Sequence, residues 1–368
     1  MTFGAEATIC EFCKHYVPTE WLDEENDGEL TKDKAQTIIN ALQQGIPPQS
    51  GFGVFGCEKE KKIIENHLDK VSDGASRFLV INGDNGSGKS HLLQYISEKS
   101  LADNFVSSKI SLKPECNFSD EITVYAELTK CLTLPDNRKA DAIECISRAV
   151  GRRQLPPGVP GNIALAFEKA ADMAGQQKRV FLDYISGRPV PILELRRLAS
   201  FSKFKMRLEE GDFDPLIRGL VKIACLIEYS GLVLSFDEVE SSLLAGPTFQ
   251  KREKAISRVT ELINNIDYFS NGYFVFAVTP DVLNILRVHH VQLDNSNCFT
   301  LSLPDVDDLI LLGKEIRRIH SIAYEWQPES VVTDSILREI SEKARAQRSN
   351  IREFVKTIAQ LLNAKQLD

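Results

Sequence analysis

A chain of 368 residues with 43% hydrophobic content is long enough for two or three packed units around a substantial core. Its formal net charge of -8 argues against a wholesale polyanion binder and leaves local basic patches as the route to any nucleic acid. No apolar run approaches the roughly 20 residues of a membrane helix, and the N-terminus lacks a basic segment followed by an apolar one, so a cytoplasmic chain with no membrane contact is expected.

From the N-terminus, Cys10 and Cys13 with His15 form half of a zinc site. A structural zinc needs four ligands, and no second Cys-x-x-Cys pair follows. The eight cysteines are scattered through apolar contexts and are expected to be reduced. An acidic stretch carrying Asp23, Glu24, Glu25 and Asp27 precedes a helix predicted from Lys32 to Gln44, which "GIPP" stops. Gly51 to Gly56, "GFGVFG", reads as a glycine-rich loop.

Phe78 to Ile81 form a short buried strand, followed from Gly83 to Ser90 by "GDNGSGKS", a match to G-x-x-x-x-G-K-[ST]. A glycine-rich turn that binds nothing contains the same residue types, so the strand before and the helix after carry the argument. In that context Gly83, Asp84, Asn85, Gly86, Ser87 and Gly88 let the backbone curl, and successive N–H groups point at phosphate oxygens. Lys89 supplies a point charge, and the helix from Lys89 through Ser90 and His91 begins at the phosphates. The Ser90 hydroxyl is placed to ligate magnesium. ATP or ADP is the ligand this predicts. The helix ending at Gln44 and the loop at Gly51 to Gly56 are then expected to flank the adenine.

A phosphate loop calls for a carboxylate downstream. "GLVLSFDEVE", Gly231 to Glu240, ends a buried parallel strand in Asp237 and Glu238, at the sheet edge where ligands bind. Asp237 is the candidate magnesium ligand and Glu238 the candidate general base for water. The alternative is a helix N-cap with an acid in its first turn. Lys89 and Asp237 lie 148 positions apart, against roughly 50 to 80 in compact domains of this kind. An insert of about 134–214 is therefore expected, helix-rich and locally basic. Its Arg152, Arg153, Arg196, Arg197, Lys203, Lys205 and Arg207 are candidates for a DNA-facing surface. Glu194, Glu209 and Glu210 alternate with them, as on a merely solvated face.

"GYFVFAVTPD", Gly272 to Asp281, reads as a third apolar strand ending at Thr279, which Pro280 is expected to keep from entering a helix directly. Phe299 to Leu303 read as the last core strand. Arg348 to Asn363 read as an amphipathic helix with Ile351, Phe354, Val355 and Ile358 inward and Arg352 in its first turn. Thr279 and Arg352 are candidates for sensing a terminal phosphate, or are structural residues.

Taken together, "ALQQGIPP", "GDNGSGKSHLLQYI", "VYAELTKCL", "YSGLVLSFDEVES", "FAVTPD" and "NIREFVKTI" resemble AAA+ ATPases of the origin-recognition-complex-like branch. More narrowly, they resemble the BREX-system ATP-binding proteins (BrxD-like) of bacterial and archaeal phage defence. The resemblance runs from about residue 41 to 362. It implies an AAA+ type P-loop αβα sandwich with a parallel central sheet, a helical insert and a C-terminal helical lid. The implied partition is an N-terminal element (1–50), a core (51–303) and a lid (304–368). It also implies that Gly83, Gly88, Lys89 and Ser90 are Walker A, Asp237 and Glu238 Walker B, Thr279 sensor 1 and Arg352 sensor 2. The implied activity is magnesium-dependent ATP hydrolysis driving conformational change or nucleotide-dependent self-assembly, with duplex DNA and other defence proteins as candidate partners. One departure stands out. The segment before the last core strand, "VQLDNSNCF", has no arginine to serve as a finger, and Arg287 is a poor substitute. A nucleotide-binding scaffold with negligible turnover is the competing reading, and a small-molecule kinase is a third.

Overall fold

The computed structural model describes residues 30–46, 48, 57–136, 141–198, 207–244, 248–347 and 349–367, and the strand backbone at 8–9 and 16–17. Cys10, Cys13, His15, the acidic residues 23–27, the loop 51–56, Lys203 and Lys205 lie outside the described residues. Two short strands, β1 (Thr8–Ile9) and β2 (Tyr16–Val17), pair antiparallel.

Apolar runs buried on both sides form the centre of the sheet, as a parallel arrangement requires. These are β3 (Arg77–Asn82), β4 (Val106–Ser111), β6 (Leu232–Asp237) and β7 (Gly272–Val278). Two short strands, β5 (Leu132–Thr133) and β8 (Cys298–Thr300), close the edges, and the order is β5-β4-β6-β7-β3-β8. All neighbours are parallel except β4 and β5. The pleat alternates along each strand. Leu79 and Ile81 with Tyr273, Val275 and Ala277 face α2 (Glu58–Ser72) and α3 (Lys89–Ala102). Val80, Phe236, Phe274 and Phe276 face the opposite layer.

That layer comprises α4 (Glu121–Lys130), α9 (Phe213–Leu226), α10 (Val239–Leu243), α11 (Phe249–Asn264) and α12 (Pro280–Val288). The long stretch between Lys89 and Asp237 also holds α5 (Ala142–Val150), α6 (Gly161–Asp172), α7 (Gly175–Ile185) and α8 (Ile192–Leu198). These helices share the core of that layer: Ile143, Phe167, Phe181 and Leu195 belong to one buried cluster with Val124, Phe213 and Phe236.

At the C-terminus, α13 (Val306–Tyr324), α14 (Asp334–Ala346) and α15 (Ile351–Leu367) form a helical bundle. The helix α1 (Lys32–Gln44) completes it from the other end of the chain. Ala35, Ile38, Ile39 and Leu42 recur at i, i+3, i+4 and i+7, and this stripe is buried against Leu309, Leu312, Ile316 and Ile358. A lone amphipathic helix has nowhere to hide that face. Gly45 ends α1 in the left-handed conformation (φ 69°), and a Cβ there would come within 2.8 Å of Arg352 Cγ. Glycine is needed at this position for both backbone and contact.

Candidate functional site

The loop between β3 and α3 takes its shape from its glycines. Gly86 (φ 83°) and Gly88 (φ 100°) adopt conformations that L side chains rarely adopt, and a Cβ on Gly86 would sit 2.9 Å from the Asn350 side chain. Lys89, in the first turn of α3, is only 7% exposed; its Nζ donates to the carbonyls of Gly83 (2.7 Å) and Asp84 (3.1 Å). The ammonium is thereby held over the loop. Burial lowers the Lys89 pKa, while Glu240, Asp237 and Asp84 pull it back up.

The expected strand ends at Asp237, and β4 and β6 run parallel with Ser111 in register with Asp237. Glu238 follows in the left-handed region (φ 54°, ψ 43°), a strained conformation for a residue with a Cβ. Its N–H donates to Asp237 Oδ1 (3.0 Å) and its Oε2 accepts from Ser111 Oγ (2.9 Å). Glu238 occupies the N-cap position of α10, yet its side chain makes no capping bond. The carboxylate is turned instead toward the C-terminal edge of the sheet.

One cleft gathers these parts: Asn85 to His91 of the loop and α3, Asp237, Glu238, Glu240, and Arg352 from α15. Its apolar wall includes Leu42 and Ile46 from the end of α1 and Leu312 and Val355 from the bundle. The Arg352 backbone N–H donates to Gly86 O (3.2 Å), tying α15 to the glycine loop. Gly83 and Asp84 do not line the cleft but hold Lys89 through their carbonyls.

Thr279 is not a lining residue. It follows the last residue of the neighbouring strand β7, and its Oγ1 is buried without a hydrogen-bond partner. As the sequence predicts, Thr279 does not itself enter a helix, although α12 begins at the very next residue, Pro280. The proline starts α12 at its first position, where the N–H that proline lacks has no intrahelical acceptor, while Thr279 stays extended (φ -87°, ψ 163°).

Three contributors have no motif of their own. Glu240 lines the cleft with Oε2 buried and unpartnered, and burial raises its pKa. Its position two residues beyond Glu238 was the available signal. Ser111 lies 127 positions from the glutamate it contacts, and Asn350 meets the loop from the far end of the chain.

In the insert, Arg152 pairs with Asp172 (3.0 Å) and Arg153 donates to Leu226 O (3.3 Å). Arg196, Arg197 and Arg207 are exposed. Arg287 is exposed on α12, outside the cleft. Among the described residues no group of three or more His, Cys, Asp or Glu side chains forms a metal-binding cluster, and no helix is long and apolar enough to cross a membrane.

A phosphate-bearing nucleotide fits this donor set. The left-handed glycines leave room for close approach, and Lys89 supplies positive charge. The Ser87 hydroxyl is a buried donor still without a partner. With β7 between the loop strand β3 and the carboxylate strand β6, and a helical bundle after β8, the molecule is an AAA+ type α/β protein. The chain belongs to the BREX system ATP-binding protein BrxC/D family, whose model matches residues 30–148 and 163–367. Among solved structures it is similar to the ORC2 protein of Aeropyrum pernix, determined as ADPNP–ADP complexes. The TM-score is 0.38 at 15% identity, over 83% of this chain and 67% of that one. No curated protein sequence matches it.

Proposed function

We propose that this chain hydrolyses ATP with magnesium to drive a conformational change or assembly step in an anti-phage defence system acting on DNA. The observation that carries the reading is the placement of Glu238. Its carboxylate is bonded to Ser111 rather than to the start of α10, and it shares one cleft with Lys89 and Asp237.

In this reading the loop amides of Asn85, Gly86 and Gly88 and the Lys89 ammonium take the phosphates, the Gly83 and Ser87 amides being engaged by Val278 O and Asp84 O. Ser90 and Asp237 offer the hard oxygen donors that magnesium prefers, and the ion when bound neutralises phosphate charge. Glu238 accepts a proton from the attacking water. Thr279 and Arg352 respond to the terminal phosphate. Residues 51–303 act as the core with its insert at about 134–214, and 304–368 act as a lid to which α1 of the N-terminal element is fastened. Self-association, duplex DNA and other defence proteins are the partners that nucleotide would control.

The test is Glu238→Gln, which keeps the side chain's shape but removes the base. ATP should remain bound while turnover falls on the order of a hundredfold. An unchanged turnover number sinks the assignment. A second reading, a scaffold that binds nucleotide with negligible turnover, is favoured by the lack of any arginine from Val291 to Phe299. It requires tight ATP binding with no phosphate release, even with duplex DNA present.

A further inference from the structure

At the opposite end of β3 from the glycine loop, a second concavity of about 490 Å³ opens between α2, the start of β3 and the turn before β8. Six residues of extended strand put it about 17 Å from the cleft. The ATP chemistry gives no reason for a pocket there, because ligands in open parallel sheets sit at the strands' C-terminal ends. Its size falls in the range of small-molecule sites, about 300 to 1,000 Å³.

The walls are chemically biased. Lys62, Asn66 and Lys70 recur at i, i+4 and i+8, so one face of α2 presents two ammonium groups and an amide to the pocket. Arg77 approaches from β3, with one guanidinium nitrogen donating to Ser76 O (2.8 Å). Among the described residues no carboxylate pairs with Lys62, Lys70 or Arg77. One carboxylate, Asp267, lines the rim, and Asp294 lies near enough to act on His67. Ile63 and Phe78 add an apolar wall.

His67 gives the second, independent sign. It lines the same pocket and is 4% exposed; its buried Nδ1 makes no hydrogen bond of normal geometry, and the Ser296 backbone at the pocket wall is the uncharged polar group that acts on the ring. A buried polar atom left unmatched costs stability unless something meets it. Arg77 and Lys70 line the same pocket, and both act electrostatically on this ring.

We propose that this pocket is a second anion site that takes a phosphate group, with Lys62, Lys70 and Arg77 supplying charge and Asn66 and His67 supplying polar contacts. Three cations around one concavity suit a compact dianion better than a long stretch of backbone charges spread along a surface. A free phosphate, a phosphorylated metabolite and the 5′ end of a nucleic-acid strand all present that chemistry.

The experiment uses the full chain with ADP in excess, so that the first cleft is occupied. Inorganic phosphate, a 5′-phosphorylated single-stranded oligonucleotide and the same oligonucleotide without its phosphate are titrated separately. Binding is followed by calorimetry and by the ring resonances of His67. Phosphate or the 5′-phosphorylated strand should bind, shift the His67 signals and weaken with salt. Lys62→Gln with Lys70→Gln, and separately Arg77→Gln, should each weaken binding about tenfold or more while ADP affinity stays unchanged. Tight binding of phosphate alone assigns the site to a small ligand, and binding of the phosphorylated strand alone assigns it to a nucleic-acid end. The proposal is overturned if no probe binds, if the unphosphorylated strand binds equally well, or if folded variants bind as the parent does.

Discussion

Ser111 and Glu238 meet across adjacent parallel strands, the serine hydroxyl donating to the glutamate at 2.9 Å. The register that sets Ser111 opposite Asp237 carries the next residue's carboxylate to the serine. Both groups are exposed, so the bond adds little to folding, and its effect falls on where the carboxylate points. Ser111→Ala is therefore expected to lower ATP turnover several-fold, with nucleotide affinity and melting temperature nearly unchanged. Steady-state hydrolysis beside nucleotide titration checks it, and an unaltered rate would show that Glu238 needs no such anchor.

Lys89→Ala should abolish ATP binding while the chain still unfolds cooperatively. The lysine's two bonds go to the loop that it steadies, and the alanine keeps the helical backbone of α3. A folded variant that retains ATP affinity would remove the basis for the phosphate site.

Arg352 contacts the loop through its backbone and offers its guanidinium to the cleft from the first turn of α15. Arg352→Ala leaves the backbone bond in place. It should weaken ATP binding modestly and erase any difference between ATP and ADP in sedimentation or partner binding, because a ligand shifts an equilibrium only through differential contacts. Persistence of that difference would assign the sensing to other residues.

His67 makes stability fall in mild acid. Burial, reinforced by Arg77 and Lys70, lowers its pKa from 6.5 to about 4, so the folded chain takes up this proton later than the unfolded one. Its contribution is complete above pH 6.5 and is lost as pH falls toward 4, a span worth about 3 kcal/mol. Burial lowers the His320 pKa in the same sense, within a bundle where Trp326 donates to its Nδ1 at 2.8 Å. Urea midpoints measured from pH 7 to 4 should drop less steeply for His67→Gln than for the parent. Parallel profiles would mean that His67 titrates alike in both states.

What the sequence determined by itself is the chemistry written in consecutive residues. The strand, glycine loop and helix from Arg77 to Ala102, the strand ending at Asp237, and the helix carrying Arg352 all follow from local rules of backbone conformation and apolar periodicity. Those rules act within a turn or a strand, so a single stretch of chain displays them. Tertiary structure decided what those pieces touch. Strand order and register brought Ser111 to Glu238, and α1 met the C-terminal bundle because its apolar stripe needed a partner more than 260 positions away, as Leu42 and Leu309 share one buried cluster. Burial set Glu240 apart from the other acids beside it, and Thr279 has its hydroxyl buried outside the lining of the cleft. Each of these depends on long-range packing, where many apolar contacts outweigh the preference of any one segment.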